Sequence, residues 1–185
     1  MALRIAGGLY RSRLLKTPQG AATRPTSAMV REAAFNLLQG ELPGSRVLDL
    51  FAGSGAMGLE ALSRGAESAV FCDKNRGAVQ AIRENVAALK VEGQASVLHM
   101  GWEQSLKCLG GEDSRFDLVF LDPPYRMDPA PVFFALLYEQ LLSPKGIILL
   151  EQSGDAAGEL MEPFKTLKDR RYGNTRLRLI TLQEQ

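Results

Sequence analysis

The tetrapeptide Asp122-Pro123-Pro124-Tyr125 carries the most specific chemistry in this sequence. It follows the apolar run Val119-Phe120-Leu121, which reads as the end of a strand. Two consecutive prolines fix φ and remove two N–H donors where the chain leaves that strand. What remains is a carboxylate, backbone carbonyl acceptors and an aromatic ring. Acceptors without donors suit an amino group. The Asp122 carboxylate and the Pro123 carbonyl can each take one hydrogen bond from an NH₂. Such a pair holds the nitrogen lone pair toward an electrophile and draws it out of conjugation with a ring. Tyr125 can stack on the heterocycle that bears the amine. Taken alone, the tetrapeptide is equally a stiff connection with an incidental tyrosine. Two motifs upstream, in the right order, weigh against that.

The first is Val47-Leu48-Asp49-Leu50-Phe51-Ala52-Gly53-Ser54-Gly55-Ala56-Met57-Gly58, which joins a strand to a helix. Glycines there let the backbone turn sharply and let a ligand approach with no Cβ in the way. The helix that follows presents free N–H groups to an anionic or carboxylate-bearing ligand. Gly53, Gly55 and Gly58 match G-x-G-x-x-G, so a dinucleotide oxidoreductase enters as one reading and a bare tight turn as another. Asp49, just inside the strand end, is harder to dismiss. A buried carboxylate needs a partner, and a ligand ammonium would supply one. The second motif is Asp73, which ends the next strand 18 residues after Gly55. A carboxylate at this place can accept both ribose hydroxyls of a nucleoside. Its plainer role would be a helix cap before Lys74.

Positioning these groups requires alternating strands and helices, and the hydrophobic pattern supplies them. Strands are expected at residues 46–50, 68–72, 95–99, 116–121 and 146–151, each a short apolar run bounded by turn residues. Helices are expected from Ser27 with apolar face Val30, Ala33, Ala34, Leu37 and Leu38, then at 58–63, 76–89, 103–109 and 131–142. The end, 164–168 and 175–182, reads as two strands joined at Tyr172-Gly173-Asn174. Residues 4–15 suggest a small hairpin around Gly7-Gly8, and 17–25 a loop. Short βα units imply a mostly parallel sheet covered on both faces, closed by an antiparallel pair.

A chain of 185 residues, 45% hydrophobic and 23% charged, has the make-up of one soluble domain with a full core. With no apolar run of membrane-spanning length and no signal-peptide core, the expectation is a cytoplasmic protein off the membrane. One histidine, His99, excludes a His-rich metal site or a serine-hydrolase triad, and Cys72 and Cys108 fit no metal spacing. No metal is expected; the cysteines read as small packing residues and His99 as a strand-end polar group. The net charge of +1 hides an asymmetry. No acid precedes Glu32, yet Arg4, Arg11, Arg13, Lys16, Arg24 and Arg31 do. The tail carries Lys165, Lys168, Arg170, Arg171, Arg176 and Arg178 against Asp169. Basic ends about an acidic middle suggest a polyanion partner, with a solvated basic surface as the bland alternative.

Together, the Asp49–Gly58 turn, Asp73 and Asp122-Pro123-Pro124-Tyr125 resemble the motifs of class I, Rossmann-like amino-methyltransferases. The ends sharpen the match. Arg4-Ile5-Ala6-Gly7-Gly8-Leu9-Tyr10-Arg11, Arg24-Pro25-Thr26-Ser27, Val30-Arg31-Glu32-Ala33 with Phe35-Asn36, and Tyr172-Gly173-Asn174-Thr175 look like the small-subunit (16S) rRNA guanine-N2 methyltransferase family. The likeness covers nearly the whole chain, although the tetrapeptide is shared with DNA adenine methyltransferases. It implies a seven-stranded, mostly parallel sheet with helices on both faces and an antiparallel C-terminal hairpin. It also implies a basic N-terminal extension (1–25) ahead of a catalytic domain (26–185). S-adenosylmethionine is the implied cofactor and S-adenosylhomocysteine the product. Asp49 would lie near its ammonium, Phe51 against it, Ala52, Gly53, Ser54 and Gly55 around the turn, and Asp73 with Lys74 at the ribose.

The implied substrate is a guanine in 16S rRNA or the assembling small subunit, its amine oriented by Asp122, Pro123 and Pro124 and its ring stacked on Tyr125. Arg4, Arg11, Arg13, Lys16, Arg24, Arg31 and Arg171 would grip phosphates. The enzyme is expected to be a monomer. Three positions depart from the family pattern: Ala28 replaces an acid, Asn75 an aspartate, and Met100-Gly101-Trp102-Glu103 stands where an Asp or Asn usually meets the adenine. Gly101 has no side chain for that contact, which leaves Trp102 flanking the adenine, or Glu103, as substitutes. Three rival readings remain: an adenine-N6 methyltransferase, an NAD-dependent oxidoreductase, and a non-catalytic RNA-binding assembly factor.

Overall fold

In the computed structural model, the described residues are 2–18, 28–111, 115–124, 127–155 and 160–183. In chain order the elements are α1 (Ala28–Leu37), β1 (Arg46–Asp49), α2 (Ala56–Ser63), β2 (Ser68–Asp73), α3 (Arg76–Leu89), β3 (Ala95–His99) and α4 (Trp102–Leu109). They continue as β4 (Phe116–Leu121), α5 (Ala130–Tyr138), β5 (Leu142–Ser153), β6 (Phe164–Tyr172) and β7 (Thr175–Leu182). One seven-stranded sheet runs in the order β3-β2-β1-β4-β5-β7-β6. The first five strands are parallel, and β7 enters antiparallel between β5 and β6. A dinucleotide-binding sheet would instead end in parallel strands in the order 3-2-1-4-5-6. The antiparallel insertion separates the two designs.

Alternation along the strands builds two cores. Val47, Phe71, Leu118, Phe120, Ile147 and Leu149 pack with Phe35, Leu59, Ile82 and Val86 of α1, α2 and α3. Their neighbours Leu48, Leu50, Cys72, Val119, Leu121, Ile148 and Leu150 pack with Leu106, Val132, Phe133 and Leu136 of α4 and α5. Both faces are covered, so the strands read as near-continuous apolar runs. Three boundaries differ by four residues from the sequence reading. The helix expected at 131–142 ends at Tyr138, because Gln140 takes a left-handed φ of 53° and turns the chain. That frees Leu142 to pair with Phe116, so β5 begins four residues before the expected 146 and absorbs Pro144 at a register shift. Similarly β6 does not stop at 168; a shift between Thr166 and Lys168 lets the ladder continue to Tyr172. Ser27, the expected cap of α1, lies outside the described residues.

The N-terminal segment forms a hairpin held by one bridge, Arg4 with Leu14, and by short bonds such as Leu15 N–H to Leu3 C=O at 2.9 Å. It is no detached arm, because Ile5 and Leu15 are part of the first core. Its anchor is Glu60 on α2, which is 0% exposed. The Glu60 carboxylate accepts from the N–H groups of Ala6 (2.7 Å) and Gly7 (2.8 Å) and from Arg64 Nε (2.8 Å). Arg31 Nε lies 3.8 Å away. Ser63 adds two bonds, accepting from Tyr10 N–H and donating to Gly7 C=O. A buried charge this fully bonded is costly to unpair. Glu60→Ala is expected to lower unfolding free energy by about 3–5 kcal/mol, and Glu60→Gln by less. Urea denaturation checks it; unchanged midpoints would show that the hairpin is held otherwise.

Candidate active site

The order of the strands reverses at β1, whose neighbours are β2 and β4. In open α/β sheets the crevice beyond the carboxyl ends of strands at such a reversal is where ligands bind. All three sequence motifs meet there. Asp49 ends β1, Asp73 ends β2 and Asp122 follows the last residue of β4.

Asp49 is 4% exposed, and its carboxylate accepts the Gly58 N–H at 3.0 Å. Burial pushes its carboxyl up to about 7, against the pull of that bond and with a further push from Asp122 and Asp73. Both acids therefore act on Asp49 across the crevice. Two glycines of the turn have different reasons to be glycine. Gly53 has a φ of 56°, and a Cβ built on it meets nothing within 4 Å, so this backbone is open to an approaching molecule. Gly58 is different: a Cβ there would sit 2.3 Å from the Phe71 ring, so glycine lets α2 lie against β2. Asp73 accepts from Gly53 N–H and from Asn75 N–H, both at 2.8 Å. It does not cap the next helix. Asn75 does, accepting from Ala78 N–H at 3.1 Å, which accounts for Asn75 and leaves Asp73 facing the turn.

Gly101 precedes α4, and Trp102 at its start is half-buried against the second core. His99 is exposed, its Nε2 3.2 Å from the Lys74 carbonyl, joining the ends of β2 and β3 as a strand-end polar group. Cys72 is buried packing, but Cys108 is exposed on α4, which corrects its reading as a packing residue. Tyr125 and Arg24 lie outside the described residues.

Among the basic residues, Arg4, Arg11, Arg13 and Lys16 are exposed. Arg13 donates to Ala88 C=O, and Lys16 pairs with Glu84 at 2.6 Å. Arg171 is on the β6 end beside β5's carboxyl end and pairs with the exposed Asp155 at 3.1 Å. Arg31 is a correction. It is 3% exposed, donates to Arg4 C=O at 2.6 Å and faces Glu60, so it holds the hairpin and cannot reach a phosphate.

Sequence reading missed Asn85. It is 1% exposed on α3; its side chain accepts from Lys16 N–H and donates to the carbonyls of Lys16 and Ser54. It thereby ties the N-terminal segment to the glycine turn. The available signal was an amide inside the apolar stripe of Ile82, Val86 and Leu89.

The residues present fit S-adenosylmethionine. An open glycine backbone, a buried carboxylate suited to an ammonium and a second carboxylate at the end of β2 are the groups its three parts require. Comparison with other proteins agrees. The profile of the family described as Conserved hypothetical protein 95 matches residues 3–181. The chain belongs to this family. It is 35% identical over 179 residues to Ribosomal RNA small subunit methyltransferase D of Haemophilus influenzae, spanning 96% of this chain and 92% of that one. The solved Escherichia coli protein yhhF aligns with a TM-score of 0.85 at 31% identity, covering 100% of both chains. SMU.776, solved with S-adenosylhomocysteine, shares the fold at 15% identity and a TM-score of 0.66, over 82% of this chain and 48% of that one. The fold is that of the Rossmann-like methyltransferases, and the family member described here is an enzyme of that kind using S-adenosylmethionine. Among the described residues no group of three or more metal-ligating side chains occurs, and no helix is long and apolar enough to cross a membrane.

The raised Asp49 pKa is expected to give cofactor binding a pH dependence. Its folded value is above its ordinary one, so this group favours the folded apo-protein at low pH, and that contribution is lost as pH rises through about 7. A cationic ammonium needs the ionised form, so the sign for binding is opposite. Affinity for S-adenosylmethionine is expected to rise about fivefold from pH 6 to pH 7, and Asp49→Asn to bind weakly with a flat profile. Calorimetric titration across that range reads both; a wild-type affinity independent of pH would detach Asp49 from the ammonium.

Proposed function

We propose that this enzyme methylates the exocyclic N2 amine of a guanine in 16S rRNA, acting on the RNA or the assembling small subunit. The observation that carries this reading is the placement of Asp122-Pro123-Pro124 at the strand reversal, beside Asp49 and the open Gly53 backbone. The name of the Haemophilus influenzae relative supports a ribosomal RNA target.

A base must leave its stack to enter such a crevice. The Asp122 carboxylate and Pro123 carbonyl then accept the two amine hydrogens, and Tyr125 stacks on the ring. This turns the nitrogen lone pair out of the ring plane and toward the glycine turn. S-adenosylmethionine supplies the electrophilic methyl when bound. The protein's own part is orientation, with Asp73 and Lys74 toward the ribose and Phe51, Ala52, Ser54, Gly55, Gly101 and Trp102 enclosing the cofactor. The amine nitrogen would take the methyl as its bond to sulfur breaks, leaving S-adenosylhomocysteine, and would release one proton to the Asp122 carboxylate that holds it. Exposed Arg4, Arg11, Arg13 and Lys16 on one side and Arg171 on the other grip phosphates, with Arg24 in the same stretch of the N-terminal extension (1–25). The enzyme works as a monomer in the cytoplasm.

The direct test is methyl transfer from radiolabelled cofactor to unmodified 30S subunits and to naked rRNA. Label is expected as N2-methylguanosine. Asp122→Ala should cut transfer by at least about a hundredfold while retaining the cofactor. Label on adenine, or transfer unaffected in the variant, would overturn the reading. Transfer should also weaken steeply with salt, and Arg13→Ala should reduce the slope of log affinity against log salt by about one.

A further inference from the structure

The register of the sheet sets one more acidic side chain level with Asp122. Asp49, Phe120 and Leu149 form one row across β1, β4 and β5, all on the face covered by α1–α3. Two residues further on along β4 and β5 are Asp122 and Glu151. Side chains alternate along a strand, so Glu151 returns to that face. Its partner Leu177 on β7 lies in the same core. Leu121 pairs with Leu150, which sets Glu151 level with Asp122 on the adjoining strand. Asp122, two residues beyond Phe120, is carried toward the same face as Asp49, and its charge acts on Asp49. Glu151 is half-buried, at the rim and not in the core.

Asp122-Pro123-Pro124-Tyr125 explains how an amine is held but not which base bears it, since adenine and guanine both offer one. The bases differ at the neighbouring ring nitrogen. Guanine carries an N1–H beside its N2 amine, so its edge is a run of donors. Adenine has a bare N1 acceptor beside its N6 amine. A second carboxylate level with the first complements guanine's run of donors and sets lone pair against lone pair on adenine. The two prolines leave no N–H at those positions to satisfy an acceptor.

We infer that Glu151 selects guanine by accepting its N1–H while Asp122 and Pro123 hold the N2 amine. This rests on the proposed guanine-N2 reaction and assigns that site its base discrimination. Glu151 takes no part in the transfer itself.

A substrate that separates the roles is 2-aminopurine, which keeps the 2-amino group but lacks the N1–H. It is placed in RNA at the guanine that the wild type methylates, and kcat/KM is measured for both substrates. Wild type is expected to favour guanine by a factor on the order of 10⁴, as a site built around a substrate N–H does. Glu151→Gln, whose amide can donate to the bare N1, should lower the guanine rate, raise the 2-aminopurine rate and shrink the ratio by about a hundredfold or more. Equal loss on both substrates would make Glu151 merely structural and overturn the inference. So would wild-type enzyme that methylates 2-aminopurine as readily as guanine, a result that needs no variant to fold. Either outcome leaves guanine methylation standing. Wild-type transfer to adenine N6, or no transfer to guanine, would overturn the proposed function and this inference together.

Discussion

A hydrogen bond from the Gly58 N–H to the buried Asp49 carboxylate ties β1 to α2 where the sheet reverses its winding. Much of the site depends on that join. It requires α2 to approach the sheet so closely that Gly58 can carry no side chain. It also sets the glycine turn between two acids, Asp49 beneath and Asp73 beside, the latter accepting from Gly53 N–H. Burying a carboxylate with one strong bond and two acidic neighbours leaves it short of positive charge. A cationic ligand would relieve that shortage, so the same contact that shapes the turn also suits it to a positively charged group.

Two buried polar side chains then make the N-terminal segment part of the catalytic body. Glu60 gathers the backbone of Ala6 and Gly7 and two arginines at one end of α2. Asn85 joins Lys16 to the carbonyl of Ser54 in the glycine turn. The segment that presents Arg11, Arg13 and Lys16 outward is thereby fixed against the glycine turn. Fully bonded buried groups specify one arrangement because any shift leaves a charge or amide unpaired. In this way a basic hairpin with one bridge of its own acquires a defined position.

The make-up of the candidate site was legible in the sequence because it is local. Asp49 to Gly58, Asp73, and Asp122 to Pro124 each occupy a strand end followed by a turn, and alternation of strands and helices brings strand ends together at one edge of a parallel sheet. Residue type and spacing were therefore enough to name the three acids, the open glycine turn and the sheet that holds them. The strand boundaries were less legible. Whether Pro144 falls in a turn or inside β5 depends on the pairing of Leu142 with Phe116, a contact 26 residues away.

What only the tertiary structure decided is the role of each charged or polar side chain among residues of its own kind. In sequence, Arg31 is one more cation in a basic segment; in the fold it lies beneath the hairpin against Glu60, withdrawn from solvent. Asn85 reads as an interruption of an apolar stripe and proves to join two distant segments. Glu151 follows a run of isoleucines and leucines within β5, and only the register of the sheet sets it level with Asp122 on the strand beside it. A sequence records what a side chain can donate or accept. Which partner it meets is set by long-range packing and strand register, and those exist only once the sheet has formed.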